Sequence, residues 1–331
     1  MGQIESVENH IAEVDIKTTL NSVDKVEILT LQDNYIEVTA MDWSAVISRA
    51  VPLKDGEICV SILAEHGFSA LVKTTVSSET HTLLFDFGFS ENGAAQNAAA
   101  LGVDMTEVEA VALSHGHSDH TGGMKKLTAM IGKHDIPFIV HPSVFKSPRY
   151  LKYSEEINIY FPKLTREMVK QAGLSVVETE KPYLLLNDTI LFLGEIPHST
   201  DFEKGYPIAH CHEDGKEVWD AIEDDTSVVM NLKDKGLVIL TGCAHSGIVN
   251  TVRYAMAVTG IDKVHAVMGG FHLAGPSFEP IIDRTTQELQ NIHPAYVIPT
   301  HCTGRKAVMA IEKQMPDQFI MNMSGTKLTF V

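Results

Sequence analysis

The segment VEAVALSHGHSDHTGG constrains this chain more than any other. Residues 108–114 read as a buried apolar strand that runs straight into His115-Gly116-His117-Ser118-Asp119-His120. Imidazole and carboxylate are donors that suit zinc and related divalent ions. Side-chain direction repeats every two residues in extended chain, so His115 and His117 project to the same side. Asp119 and His120 follow where the chain begins to coil, and they address a second position nearby. Gly116, Gly122 and Gly123 allow the backbone to come close to ions there. A merely solvated loop has no need of three imidazoles and a carboxylate behind a buried strand, so a metal centre is the expectation.

Histidine is also the conspicuous entry in the composition, 16 of 331 residues. The remainder, 44% hydrophobic and 21% charged, suits a soluble chain with a sizeable core. Acids outnumber bases 43 to 26, a net charge of −17, which disfavours nucleic-acid binding through a basic face. No apolar run approaches the roughly 20 residues of a membrane helix, and the opening MGQIESVENH lacks a signal-peptide core. The four cysteines, Cys59, Cys211, Cys243 and Cys302, are too few and scattered for a disulfide scaffold. A cytoplasmic protein is expected, with no nucleic-acid or membrane partner. A homodimer is compatible with the sequence but not demanded by it.

Residues 1–25 show no clear strand pattern and are expected to form an N-terminal arm, ahead of a single domain over 26–331. VEILTLQDNYIEV, ICVSILAEHG, SALVKTTV and HTLLFDFG read as strands, and ENGAAQNAAALG as a helix closed by Gly102. Over about 141–225 regularity weakens, and a cap of loops is expected. Within it TREMVKQAG reads as a short helix, YLLLNDTILFLGEIP as a hairpin and AHCHEDGKEVWDAIEDD as an acidic excursion. SVVMNLKDKGLVILTGCAHSG then supplies two strands, followed by helix, strand, helix and strand to PTHCTG. Strands and helices in this order predict an α/β (α+β) architecture of two facing sheets covered by helices.

HGHSDH resembles the signature of the metallo-β-lactamase-fold hydrolases, and the resemblance extends over almost the whole chain from about residue 26. With LLFDFG, TGCAHSGIVN, GGFHL and PTHCTG, it resembles the branch named for 7,8-dihydropterin-6-methyl-4-(β-D-ribofuranosyl)aminobenzene 5′-phosphate synthase, a group of metal-dependent hydrolases. The resemblance implies a four-layer αββα sandwich with metals at one sheet edge. It implies His301 as the final histidine ligand. His245, at the end of a strand, is assigned to complete the first site with His115 and His117, and His198 in GEIPHST is a rival for that place. Where other branches carry a bridging aspartate in T-G-D, this chain has Thr241-Gly242-Cys243, so Cys243 is either a thiolate ligand or a small buried residue. Asp86 is read as orienting a metal-binding histidine, and His272, after two glycines at a strand end, as facing the substrate. His66 and Asn34 are candidate substrate contacts on the same rim. Cys211 and His212 lack a partner pair at metal-ligand spacing and read as solvated loop. Cys302 reads as packing.

The expected cofactor is a pair of divalent ions, zinc foremost, with manganese and iron as alternatives. The metal ligands are His115, His117, Asp119, His120, His245 and His301, and Asp119 and His272 are the catalytic candidates. Such ions activate water and stabilise developing charge. A locally positive pocket on an acidic body favours a small anionic substrate, phosphoesters ahead of lactones and amides. Two alternatives remain open: a synthase in which an aryl ribosyl phosphate displaces the diphosphate of a dihydropterin, and a metal-bound ligand sensor without turnover. For the synthase, Tyr150, Tyr153, Tyr160 and Phe161 are candidates to stack on a flat ring.

Overall fold

Along Glu79–Phe85, Leu83 and Phe85 turn to one face of a sheet and Leu84 to the other, and all three are buried. The same alternation recurs in Gly236–Thr241, where Val238 and Leu240 point one way and Leu237 and Ile239 the other. Strands buried on both faces need cover on both. The computed structural model, which describes residues 17–331 other than 52, 55, 59 and 60, meets that need with four layers.

The first sheet has eight strands in the order Leu174–Glu178, Ile136–Val140, Ala110–Ala112, Glu79–Phe85, Ser69–Val76, Lys25–Gln32, Lys327–Phe330 and Ile47–Ser48. The second runs Tyr183–Leu185, Ile190–Phe192, Ser227–Leu232, Gly236–Thr241, Val264–Gly270 and Tyr296–Thr300, with Ser22–Val23 paired parallel to Ser227–Leu232. Val72, Phe85 and Ala112 of the first sheet meet Phe192, Leu240 and Met268 of the second in one shared apolar core. Helices Gly93–Ala100, Met124–Ile131 and Arg166–Gln171 cover the outside of the first sheet. Ile248–Thr259, Ile282–Ile292 and Arg305–Gln314 cover the second. Ile282, Thr285, Thr286 and Leu289, three and four residues apart, form the buried stripe of their helix.

Ala110–Ala112 is parallel to both Glu79–Phe85 and Ile136–Val140, and Val264–Gly270 to both Gly236–Thr241 and Tyr296–Thr300. The loops leaving the carboxyl ends of these strands therefore gather at one rim of the sandwich. Lys25–Gln32, antiparallel to Ser69–Val76, delivers Asp33 and Asn34 to the same rim.

Two sequence expectations change. Residues 1–16 of the arm lie outside the described residues, but its end is packed: Leu20 and Val23 are buried, and Ser22–Val23 is a strand. The cap over 141–225 is only partly a cap. Leu174–Glu178 and the hairpin Tyr183–Leu185/Ile190–Phe192 are edges of the main sheets. Arg149–Lys152, Asn158–Tyr160, Ala209–Glu213 and Lys216–Trp219 form a separate four-stranded sheet. Its short strands, dense in charge and tyrosine, gave no clean two-residue alternation. ICVSILAEHG contributes only the end of Glu57–Ile58 to a strand among its described residues. Cys59 lies outside the described residues.

Among the described residues, no helix is long and apolar enough to cross a membrane.

Helix Ile248–Thr259 starts against an acid from a distant loop. Glu203 accepts hydrogen bonds from the amides of Val249 and Asn250 at 2.9 and 2.8 Å. A Cβ on Gly247 would stand 2.3 Å from that carboxylate, and its φ of 98° also favours glycine. Burial pushes the Glu203 carboxyl up to about 7 from 4.5, with the two amides holding the rise in check. The folded chain thus keeps a proton there that the unfolded chain has released, so this contribution to stability declines as pH rises through that window. Glu203→Gln is expected to flatten the fall in unfolding midpoint over about pH 5 to 7, measured by denaturant titration of the metal-free protein.

Candidate metal centre

Three loops at the rim bring two sets of donors together. His115, His117 and His245 form one; Asp119, His120, Cys243 and His301 form the other. Within each set the donor atoms lie within 4.8 Å of one another. His115 Nε2 is 3.0 Å from His117 Nδ1, and His120 Nε2 is 3.2 Å from the Cys243 sulfur. The Asp119 Oδ2 oxygen lies 3.2 Å from His301 Nε2 and 3.7 Å from His120 Nε2. A third, overlapping set comprises Cys243, His245 and His272.

The chemistry of these donors fits cations. Both ring nitrogens of His245 are buried without a hydrogen-bond partner, an expensive arrangement unless another group takes the lone pair. Burial and the crowd of other imidazoles hold His115 and His245 well below the usual histidine range. Burial, with the charge of Arg149, brings His117 down to about 3. Neutral imidazole is the form that binds metal. His120 differs: burial opposes its protonation, but the carboxylates of Asp119 and Asp86 outweigh it and lift it to about 9. Burial likewise opposes ionisation of Asp119, yet the neighbouring histidines hold its carboxyl well below the usual range.

Other residues hold the donors in place. Asp86 Oδ2 is 2.7 Å from His120 Nδ1 and accepts the Ser114 hydroxyl at 2.7 Å, while Oδ1 accepts the Ser114 amide. That geometry leaves His120 Nε2 free to face the centre. Gly242 is required beside this pair, since its Cβ would fall 2.0 Å from the Ser114 hydroxyl. Arg149 is buried between Asp220 and Asp224, and Asp224 also accepts the Gly116 amide at 2.8 Å. This network pins the His115–His117 turn from behind. Asp86, Ala244, His272 and His301, each just past a strand end, all have left-handed φ between 44° and 59°. Backbone of that kind persists where its surroundings over-determine it, and it gathers at functional sites.

Asn34 and His66 sit beside His301. Asn34 Nδ2 donates to the His301 carbonyl at 2.9 Å, and the His66 ring is 4.7 Å from the His301 ring. His66 Nε2 is 3.5 Å from Asp119. His272 faces His245 and Phe278, its Nδ1 without a partner. His198 stays outside all three sets, its Nδ1 3.2 Å from the Glu203 carbonyl. Cys302 is buried behind Cys243. Cys211 and His212 lie on the small sheet and join no donor set among the described residues. Of the four aromatic residues singled out between Tyr150 and Phe161, Phe161 reaches the centre, stacked on His117 at 4.2 Å. Tyr150 is buried in the small sheet and donates to Glu217.

Sequence reasoning did not find Ser114, Arg149, Asp220 and Asp224. The two aspartates stood in a stretch read as an acidic excursion of the cap, and only the partner Arg149, some 70 positions earlier in the chain, reveals them as buried. Tyr206 was also missed; its ring lies 5.0 Å from His272. A cavity of about 230 Å³ opens beside His245, walled by His272, Phe278, Phe202, Pro207 and Lys204.

The sequence pattern of the metallo-beta-lactamase superfamily matches residues 64–215. An uncharacterised protein of Methanocaldococcus jannaschii is 31% identical over 268 residues, 79% of this chain and 93% of that protein. The chain belongs to the metallo-beta-lactamase superfamily. A second M. jannaschii protein, named 7,8-dihydropterin-6-methyl-4-(beta-D-ribofuranosyl)-aminobenzene-5'-phosphate synthase, is 29% identical over 314 residues, 94% of this chain and 99% of that protein. Among solved structures, a metal-dependent hydrolase of the beta-lactamase superfamily superposes with a TM-score of 0.69 at 24% identity, covering 92% of this chain and 98% of that one. YhfI from Bacillus subtilis, a metallo-beta-lactamase fold protein, gives 0.50 at 12% identity, covering 93% and 100%. The superfamily's fold implies binding of divalent metal, and the donor sets lie where its sheets end.

His117→Ala and Asp119→Ala are each expected to lower bound metal, measured by elemental analysis of the purified protein, whereas His198→Ala and His212→Ala leave it unchanged. Asp86→Ala, which removes the carboxylate that holds His120 and Ser114 but none of the donors, should weaken metal affinity about 10–100-fold. Full occupancy after either of the first two changes would overturn the ligand assignment.

Proposed function

We propose that this protein is a metal-dependent hydrolase of a small anionic substrate, with phosphoesters foremost. The observation that carries the reading is the pair of donor sets meeting at one rim, with His245 buried and unpartnered between its neighbours. His115, His117 and His245 would hold one ion and Asp119, His120 and His301 a second, zinc being the cation these nitrogen and oxygen donors suit. Ions in such a centre lower the pKa of water towards neutrality and stabilise charge developing on an oxygen.

The chain's own groups supply position and proton handling. Arg149 is committed to Asp220 and Asp224 and is not available to a substrate. Lys204 is the cation on the wall of the adjoining cavity. Attraction for an anion therefore rests on the ions themselves and on Lys204. Asp119 retains 16% side-chain exposure, so its carboxylate faces the open side and orients the attacking water. His272, which lines the cavity beside His245, is placed to donate a proton to the leaving oxygen.

A second reading, condensation of an aryl ribosyl phosphate with a dihydropterin diphosphate, is favoured by the near full-length similarity to the named synthase. The ring-lined cavity of His272, Phe278 and Phe202 supports it as well. The two reactions differ in both partners: in hydrolysis water attacks phosphorus and an alcohol leaves, whereas in the condensation the aryl carbon attacks the pterin methylene carbon and diphosphate leaves. In each, ions at the centre would stabilise charge on the phosphate oxygens.

Turnover of chromogenic phosphate mono- and diesters by zinc- or manganese-loaded protein tests the primary reading. His272→Ala is expected to lower that turnover about 100-fold while metal content stays intact. A fully loaded protein that turns over no ester or lactone, yet joins the two synthase substrates, would transfer the assignment to the second reading.

A further inference from the structure

We infer that Asn34 fixes opposite tautomers on His301 and His66, and that His66 thereby presents an Nε2–H donor to an oxygen of the anionic substrate. This rests on the hydrolase reading above and names a group that binds the substrate on the open side of the centre.

Two backbone groups set the orientation of the Asn34 side-chain amide. Its Nδ2 is 2.9 Å from the His301 carbonyl, which can only accept, and its Oδ1 is 3.4 Å from the Gly67 amide, which can only donate. The other two valences of the amide meet imidazoles. Oδ1 lies 3.2 Å from His301 Nδ1, so that nitrogen carries the hydrogen and Nε2 keeps its lone pair for the centre. The second hydrogen of Nδ2 meets His66 Nδ1 at 3.1 Å, which places the lone pair on Nδ1 and the hydrogen on Nε2. A ring with its hydrogen on Nε2 has no lone pair there for a cation, and His66 joins none of the donor sets among the described residues. Asn34 itself, expected to contact substrate, has its four valences filled by the protein.

The backbone holds both residues in place. Buried Asp33 accepts the amides of Asn34 and His301 at 2.7 and 2.8 Å, and its other oxygen accepts the Asn322 side chain at 2.6 Å. On the far side the Phe68 amide donates to the Asp119 carbonyl at 3.2 Å, and a Cβ on Gly67 would fall 2.9 Å from that oxygen. The His66 loop therefore lies against the Asp119 turn. His66 Nε2 stands 3.5 Å from Asp119 Oδ2, beyond the length of a good hydrogen bond, so its N–H remains uncommitted. The His66 side chain is 62% exposed and faces the open side together with the Asp119 carboxylate.

His272 adjoins His245 at one end of the centre and His66 adjoins His301 at the other. The two therefore serve different oxygens of a phosphoester: His272 the leaving oxygen, His66 a non-bridging one. Asn34 acts through His66 and His301 and is a positioning residue.

Ring-nitrogen NMR shifts of the histidines in the full chain read the tautomers without reference to turnover. Wild type is expected to show His66 protonated at Nε2, and the zinc-loaded chain His301 protonated at Nδ1. Asn34→Ala should abolish the His66 preference. Binding of inorganic phosphate to the zinc-loaded chain, measured by calorimetry, should weaken about tenfold in His66→Ala. His66→Gln, whose amide brings an N–H near the same point, should restore it, with zinc content equal in all three proteins. Wild type with the hydrogen on His66 Nδ1 overturns the inference whether or not the variants fold, as does a His66 preference that survives in Asn34→Ala. Zinc-loaded wild type that binds no phosphate, or His66→Ala that binds it as wild type does, overturns the donor role. Loss of zinc from His66→Ala would make His66 a support for Asp119 instead. A phosphate affinity that depends on His66 in a chain that hydrolyses no ester would sink the hydrolase reading alone.

Discussion

Bringing His115, His117, His120, His245 and His301 into one water-poor rim is unfavourable unless their ring nitrogens find partners. Most of the local structure is arranged around that constraint. His120 is met by Asp86, His301 by Asp119 and Asn34, and His115 by Ser114. His245 alone is left with no partner for either nitrogen. The cluster is tolerable in the folded chain because the large inter-sheet core and the surrounding hydrogen bonds hold it together.

Rigidity behind the donors comes from charges that never reach the reacting space. Arg149 is a cation in an acidic chain, yet it directs four hydrogen bonds to Asp220 and Asp224. Removing one partner of such a buried network is strongly destabilising, because the remaining charge stays uncompensated. Through Asp224 and the Gly116 amide, the small sheet carrying Arg149 is tied to the His115–His117 turn. Phe161, stacked on His117, makes a second tie between the same two regions. The small sheet is thus a support for the centre as well as a cover over it.

Much of this was legible in the sequence, and the illegible part has a physical reason. The strand before HGHSDH, the Asn187-Asp188 hairpin and the helix ending at Gly260 follow from local periodicity and turn chemistry. His115, His117, His245 and His301 stand at ends of apolar runs, where a donor is visible as a donor. Asp224 and Arg149 escaped because nothing local marks a residue as buried when its partner is 75 positions away. The small sheet escaped for a related reason: its strands carry Lys152, Glu213 and Glu217 beside Tyr150 and Cys211, and no face is cleanly apolar. His198 shows the reverse case, a histidine in a plausible loop whose chain path leads it to the Glu203 carbonyl instead.

The donors hang from both layers of the sandwich: His115 to His120 follow a strand of the first sheet, while His245 and His301 follow strands of the second. A cation gripped between them would act as a bolt through two plates otherwise joined at this rim by softer contacts. Chelation would then loosen one margin of the sandwich first, with the far margin, closed by Ser22–Val23 and its neighbours, left in register.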